Sequence, residues 1–321
     1  MFSMHPVLLC LCVVIVIGIV HNMFTPARTD VLADEARTHT VGVVLVAPPG
    51  EMVEPRILAL MHAAVRPNYV RFYVAKVCSK AEDEPAIQNP RLRVNTRIHY
   101  IREGYVTDAH LRARLIPDVM EYHVLVLDWP HQIEMGWDNA MVSDLQSCRR
   151  GAVALSSRLP VSGAKSGFLT VEEHAVHSTR IGWSPFVEQP KRPLPSIAFS
   201  ANFLFARTHD VSSAWPSAEA LQDNDEDATV TASLWMCGVD AFAPAHMPVW
   251  LAPGVKPSTK SSSSMHTPRS GTTRSRGELL THLGIRNGRV TSRARSGLTQ
   301  AATAQERFAK LGQTFTTHRD I

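Results

Sequence analysis

Asp128 closes the apolar run HVLVLD, residues 123–128. A carboxylate at the C-terminal end of a buried strand stands where α/β sheets place their ligands. With a second oxygen or nitrogen ligand it can hold a divalent cation against a diphosphate, and that cation stabilises a departing nucleoside diphosphate. His131, three residues on, is a nitrogen donor suited to the same ion. Trp137 and Asp138 follow in GWDNA. The indole can stack on a sugar or fill the core, and the carboxylate can cap a helix or face a ligand. Farther along, the acidic run 223–227 contains Glu226 and Asp227. Either can orient or deprotonate an acceptor hydroxyl, and either can equally be a solvated helix start, where the dipole tolerates acids. Arg102, Arg112 and Arg114 precede Asp128 and can meet phosphate oxygens or serve as surface charge.

Other chemistries have no support in the chain. There is no GxSxG, P-loop or HExxH motif. The five cysteines (Cys10, Cys12, Cys78, Cys148 and Cys237) form no CxxC pair and no zinc spacing. Three of them lie beyond the apolar leader and permit one disulfide with one thiol left over.

The elements that must position these residues alternate. TVGVVLVAP, 40–48, reads as a buried first strand stopped by Pro48 and Pro49. Helical spacing follows over 54–65, then a strand over 69–77 and a third over 92–100. Residues 108–122 read as a helix, 123–128 as a short buried strand, 136–147 as a helix and 152–155 as a strand. The proline-rich stretch 159–195 reads as loop, 196–207 is apolar and aromatic, 225–236 is helical, and 242–251 returns to an apolar run. Alternation of this kind argues for an α/β sheet with helices on both faces.

The two ends differ from this middle. Residues 4–24 carry no formal charge and are long enough to span a bilayer, which reads as a signal anchor, with a cleaved signal peptide as the rival reading. Residues 25–40 form a short stem. From 253 onward the chain is rich in Ser, Thr, Gly and basic residues and reads as disordered, with a weak helix over 303–311. The net charge is +4, and Lys256 to Gln300 holds nine Lys or Arg against one acid, so the basic excess belongs to this tail. The tail lacks the aromatics that stacking on bases wants, so nucleic acid is not expected as a partner.

Four segments together resemble the UDP-GlcNAc-dependent polypeptide α-N-acetylglucosaminyltransferases that modify Ser, Thr or hydroxyproline. They are IREGYVTDAHLRARL (101–115), VLVLDWPHQIEMGWDNAM (124–141), SIAFSANFLFAR (196–207) and DEDATVTASLWMCGVDAFAP (225–244). The resemblance implies a GT-A-like nucleotide-sugar-binding domain over 41–252 with a mixed, mostly parallel central sheet. It implies a UDP-sugar donor, Mn2+ or Mg2+, retention at the anomeric carbon, and a protein or glycan acceptor. With the leader, it implies a single-pass Golgi or ER membrane protein whose C-terminal domain is lumenal.

Residue by residue, Asp128 matches the first acid of the family's Asp-x-His metal motif, while Pro130 stands where the histidine belongs and His131 lies one position beyond. Asp138 matches the aspartate of a GWD segment. Glu226 and Asp227 match a Glu-Glu pair, and Arg114 matches the arginine of an Ala-Arg pair. Val46-Ala47-Pro48-Pro49-Gly50 replaces a Ser-x-Tyr-Arg-Asp, and Met236-Cys237-Gly238 replaces a Thr-His-Gly. An apolar skeleton kept with several polar positions changed leaves two expectations open: a divergent transferase, or an inactive relative that binds a protein or glycan partner.

Overall fold

The computed structural model describes residues 38–48, 50–77, 87–101, 107–129, 132–148, 151–160, 167–174, 178–186, 188–196, 198–221 and 226–251, with two short stretches at 285–286 and 289–290. The leader, most of the stem, nearly all of the tail, Cys78, Arg102, Pro130 and His131 lie outside them. Among the described residues no helix is long and apolar enough to cross a membrane.

The first half is a run of parallel strands joined by helices. β1 (Val41–Ala47) is buried along its whole length. α1 (Val53–Ala63) buries Val53, Ile57, Leu60 and Met61, a single stripe at helical spacing. β2 (Val70–Val77) follows. The expected strand over 92–100 divides. Asn89 caps a short helix, α2 (Pro90–Asn95), by accepting from the Arg91 amide, with Pro90 at its first position. Only then does β3 (Thr96–Ile101) begin.

The helix expected over 108–122 is likewise shorter. Thr107 caps α3 (Asp108–Leu115), which tightens into a 3-10 turn at Ile116–Asp118, where Pro117 removes a donor and ends it. Then come β4 (His123–Leu127), β5 (Gln132–Ile133), α4 (Trp137–Ser147) and β6 (Val153–Ser156).

The stretch expected as loop contains a long antiparallel hairpin, β7 (Gly167–His174) with β8 (Ser178–Pro185), and then β9 (Leu194–Pro195). β10 (Phe203–Arg207), α5 (Thr208–Ser212), α6 (Glu226–Met236), β11 (Asp240–Ala243) and β12 (Val249–Trp250) complete the domain. Cys148 and Cys237 are both free thiols. Burial pushes the Cys148 thiol up to about 12, with Asp144 adding to the effect.

The strand order of the central sheet is β3-β2-β1-β4-β10-β6-β11-β9. β3, β2, β1, β4, β6 and β11 point one way, and β10 and β9 the other. The sheet is therefore mixed and mostly parallel. Alternation along each strand feeds two separate cores. Val43, Leu45, Leu125, Leu127, Phe203 and Phe205 join α1 and α4 on one face. Val44, Val46, Val124, Val126, Leu204 and Ala206 join α3, α5 and α6 on the other. A sheet buried on both faces explains why β1 and β4 read as unbroken apolar runs.

Strand order also fixes where a ligand fits. The chain moves from β1 outward through β2 and β3, then returns to the other side of β1 for β4. The crevice at the C-terminal ends of β1 and β4 is thus a topological switch point, and Asp128 is the first residue past β4.

Candidate functional site

One turn joins the two halves of the site. The turn over 198–202 delivers the chain into β10, and three of its successive amides are held by side chains. Phe199 N–H donates to Thr231 Oγ1 at 3.0 Å, Ser200 N–H to Ser156 Oγ at 2.8 Å, and Ala201 N–H to Asp227 Oδ1 at 2.8 Å. The carbonyl of Asn202 accepts the Asp128 amide at 2.9 Å. Ser156 also donates to the Phe203 carbonyl at 2.8 Å. α6, the end of β6 and the end of β4 are thereby tied to a single short loop.

The charges gather at the same place. Arg112 on α3 is buried, and its guanidinium grips Glu226 at the start of α6 by two bonds, Nε to Oε1 at 2.8 Å and Nη2 to Oε2 at 2.5 Å. Burial works against its charge, but Glu226, then Asp128 and Asp108, reverse that and hold the proton more firmly than usual. Burial raises the Asp128 carboxyl; Arg112 and the Trp129 amide pull it back, while Asp108 and Glu226 push it up again. Asp108, in the first turn of α3, is raised by burial against the pull of Arg112. Asp227 is raised to about 6, chiefly by burial and further by Glu226, against the Ala201 amide, Arg158 and Arg112.

Asp128, Glu226 and Asp227 are therefore brought together. Glu226 is committed to Arg112 and is not a free base. Asp227, with one oxygen on an amide, ionises near pH 6 and can accept a proton above it.

Trp137 and Asp138 have other duties. The Trp137 side chain is wholly buried, and its Nε1 donates to the Leu60 carbonyl at 3.0 Å, so no ring face is open to a sugar. Asp138 accepts the Val65 amide at 2.8 Å and the Arg66 amide at 3.0 Å, clamping the α1–β2 connection to the start of α4. Arg114 is exposed; half a turn away on the same helix, Arg112 is the inward arginine. Arg102 and His131 fall outside the described residues.

Sequence reasoning gave no role to Asp108, Arg158, Ser156 or the turn before β10. Their link to Asp128 runs through pairings distant in sequence.

Among the described residues no three of His, Cys, Asp and Glu converge closely enough to hold a metal ion. Asp128 offers one carboxylate at the place a metal would take, and the described residues alone do not complete a ligand set.

No family model matches the chain. No curated protein matches it either. Its fold does match solved structures. GalNAc-T7 with UDP, GalNAc and Mn2+ superposes with a TM-score of 0.56 at 11% identity, over 75% of this chain and 48% of that one. TarS of S. aureus gives 0.52 at 10% identity, over 84% and 43%. Residues 1–349 of TarS in complex with UDP-GlcNAc give 0.50 at 10% identity, over 84% and 71%. The chain thus spans about half the length of the first two. At these identities the likeness shows a shared GT-A-like fold.

Proposed function

We propose that this protein is a glycosyltransferase that moves a sugar, N-acetylglucosamine in the first instance, from a UDP donor to a protein or glycan hydroxyl with retention. The observation that carries the reading is the acidic site at the switch point: Asp128 at the end of β4, tied through the 198–202 turn to Asp227 on α6. Support comes from structures of the same fold that contain UDP with Mn2+ and UDP-GlcNAc.

Asp128 lies on the donor side and is the residue that would take Mn2+ or Mg2+, an ion that stabilises the leaving diphosphate when bound. Asp227 lies on the acceptor side and takes or orients the hydroxyl proton. Residues 4–24 anchor the protein in a Golgi or ER membrane with this domain lumenal.

A second reading has its own support. Glu226 is locked to Arg112, and Trp137 and Asp138 serve the fold. A chain that kept the architecture and lost transfer would act as a protein- or glycan-binding subunit.

Calorimetric titration of the full-length protein with UDP and UDP-GlcNAc, with and without Mn2+, separates the two. Binding that Asp128→Ala weakens by about tenfold or more, roughly 1.4 kcal/mol, supports the transferase. Folded protein that binds neither ligand under either condition leaves the binding-subunit reading.

A further inference from the structure

Arg112 is an expensive residue to bury. Its side chain is 4% exposed. Glu226 takes Nε and Nη2, while Nη1 is buried and has no hydrogen-bond partner among the described residues. A buried donor left unmade works against the fold, and a well-packed apolar pair in place of a buried ion pair is often neutral or stabilising. Stability alone is a weak reason for this guanidinium.

Its surroundings supply a better one. Four carboxylates from three elements lie within its electrostatic reach: Asp108 on α3, Asp128 at the end of β4, and Glu226 and Asp227 on α6. Arg158 is the second cation near Asp227. Four like charges so placed push one another apart, and Arg112 is the cation they share. The grip of Glu226 fixes where that cation sits.

We propose that Arg112 is the positioning residue of this site: pinned by Glu226, its guanidinium is the shared counter-charge that keeps the donor-side Asp128 and the acceptor-side Asp227 at a fixed spacing. The donor and acceptor labels rest on the function proposed above; the positioning role does not. Glu226 accordingly acts through Arg112 and not on the acceptor.

Hydrogen exchange on the full-length protein tests this without any ligand. The apolar double variant R112M/E226L removes the cation together with the carboxylate that pins it, and leaves Asp108, Asp128 and Asp227 without their shared counter-charge. Its expected result is a melting temperature close to the parent's, with exchange at least about tenfold faster in 124–129, 198–203 and 226–232 and unchanged in 41–47 and 70–77. Parent-like exchange in the three site segments overturns the proposal.

The charge swap R112E/E226R guards against a variant that fails to fold. It restores the pair and the net charge but moves the guanidinium from α3 to α6, next to Asp227, and puts a carboxylate in its place on α3. The swap should regain the stability lost by either single variant while the site segments still exchange fast. If it regains both, Arg112 is a structural residue only. Titration of the parent with UDP is read separately: a parent that binds no UDP sinks the transferase reading, and the exchange data still decide the role of Arg112.

Discussion

At the scale of single residues, identical side-chain types take different work according to what surrounds them. Asp128, Asp138 and Asp227 all looked like candidates for chemistry. Asp138 has both oxygens on backbone amides from another connection. Asp138→Ala should therefore lower stability by about 3 kcal/mol, the usual scale for two charge-assisted bonds, while folded molecules keep their ligand affinity; a urea melt and a titration check the two halves.

Asp227 is different, because its folded pKa of about 6 lies above the ordinary 3.8. The native state holds its proton longer than the unfolded chain does. The stability it contributes is full below about pH 4 and is lost as pH rises to about 6. Asp227→Asn keeps an acceptor for the Ala201 amide and removes that loss. It should be more stable than the parent at pH 7 by up to about 3 kcal/mol, with no gain at pH 4. A gain that does not vary with pH would contradict this.

At the scale of elements, the 198–202 turn matters most. The amides of Phe199, Ser200 and Ala201 donate to the side chains of Thr231, Ser156 and Asp227. Ser156→Ala leaves the Ser200 amide and the Phe203 carbonyl without that hydroxyl. The cost should be about 1–3 kcal/mol. If the turn positions the site, affinity for UDP falls as well, although Ser156 is wholly buried. Unchanged UDP affinity in a destabilised variant would separate the turn from the ligand site. Elsewhere, caps and prolines set the boundaries: Asn89-Pro90 turns the start of an expected strand into α2, and with Pro117 close behind it α3 stops at Leu115, seven residues before the expected end.

At the scale of the whole molecule, the sheet is covered on both sides, and that burial works against charge on His123. His123 opens β4, stacks on Phe205 at 5.2 Å between ring centroids, and meets Tyr122 edge-on. Burial pulls its pKa down to about 4, and His39 and Arg207 act in the same direction. The unfolded histidine charges near 6.5, so its contribution to stability is full above that pH and is lost as pH falls to about 4. His123→Phe keeps an aromatic stack and cannot take up a proton. On acidification from pH 7 to 4 it should gain on the parent by up to about 3 kcal/mol, read from denaturant midpoints. This slope opposes that of Asp227, so the two variants should tilt the pH profile in opposite directions.

The periodicity of the sequence by itself determined the alternating elements and their two-sided burial. Unbroken apolar runs such as VGVVLVA and HVLVL can satisfy their side chains only between two layers of helices. It also determined that Asp128 ends a buried strand. Tertiary structure alone decided what Asp128 meets there. Long-range pairing sets β10 antiparallel between β4 and β6, and that brings residues 112, 128, 156 and 226–227 to one turn. It likewise decided that Arg112, not Arg114, faces inward, because the two differ only in which side of α3 meets the sheet. It gave Trp137 and Asp138 to the fold, because whether an indole stacks or packs depends on a neighbour seventy-seven positions away, Leu60. Local pattern fixes which groups must be buried, and only the assembled chain fixes which partner each buried group finds.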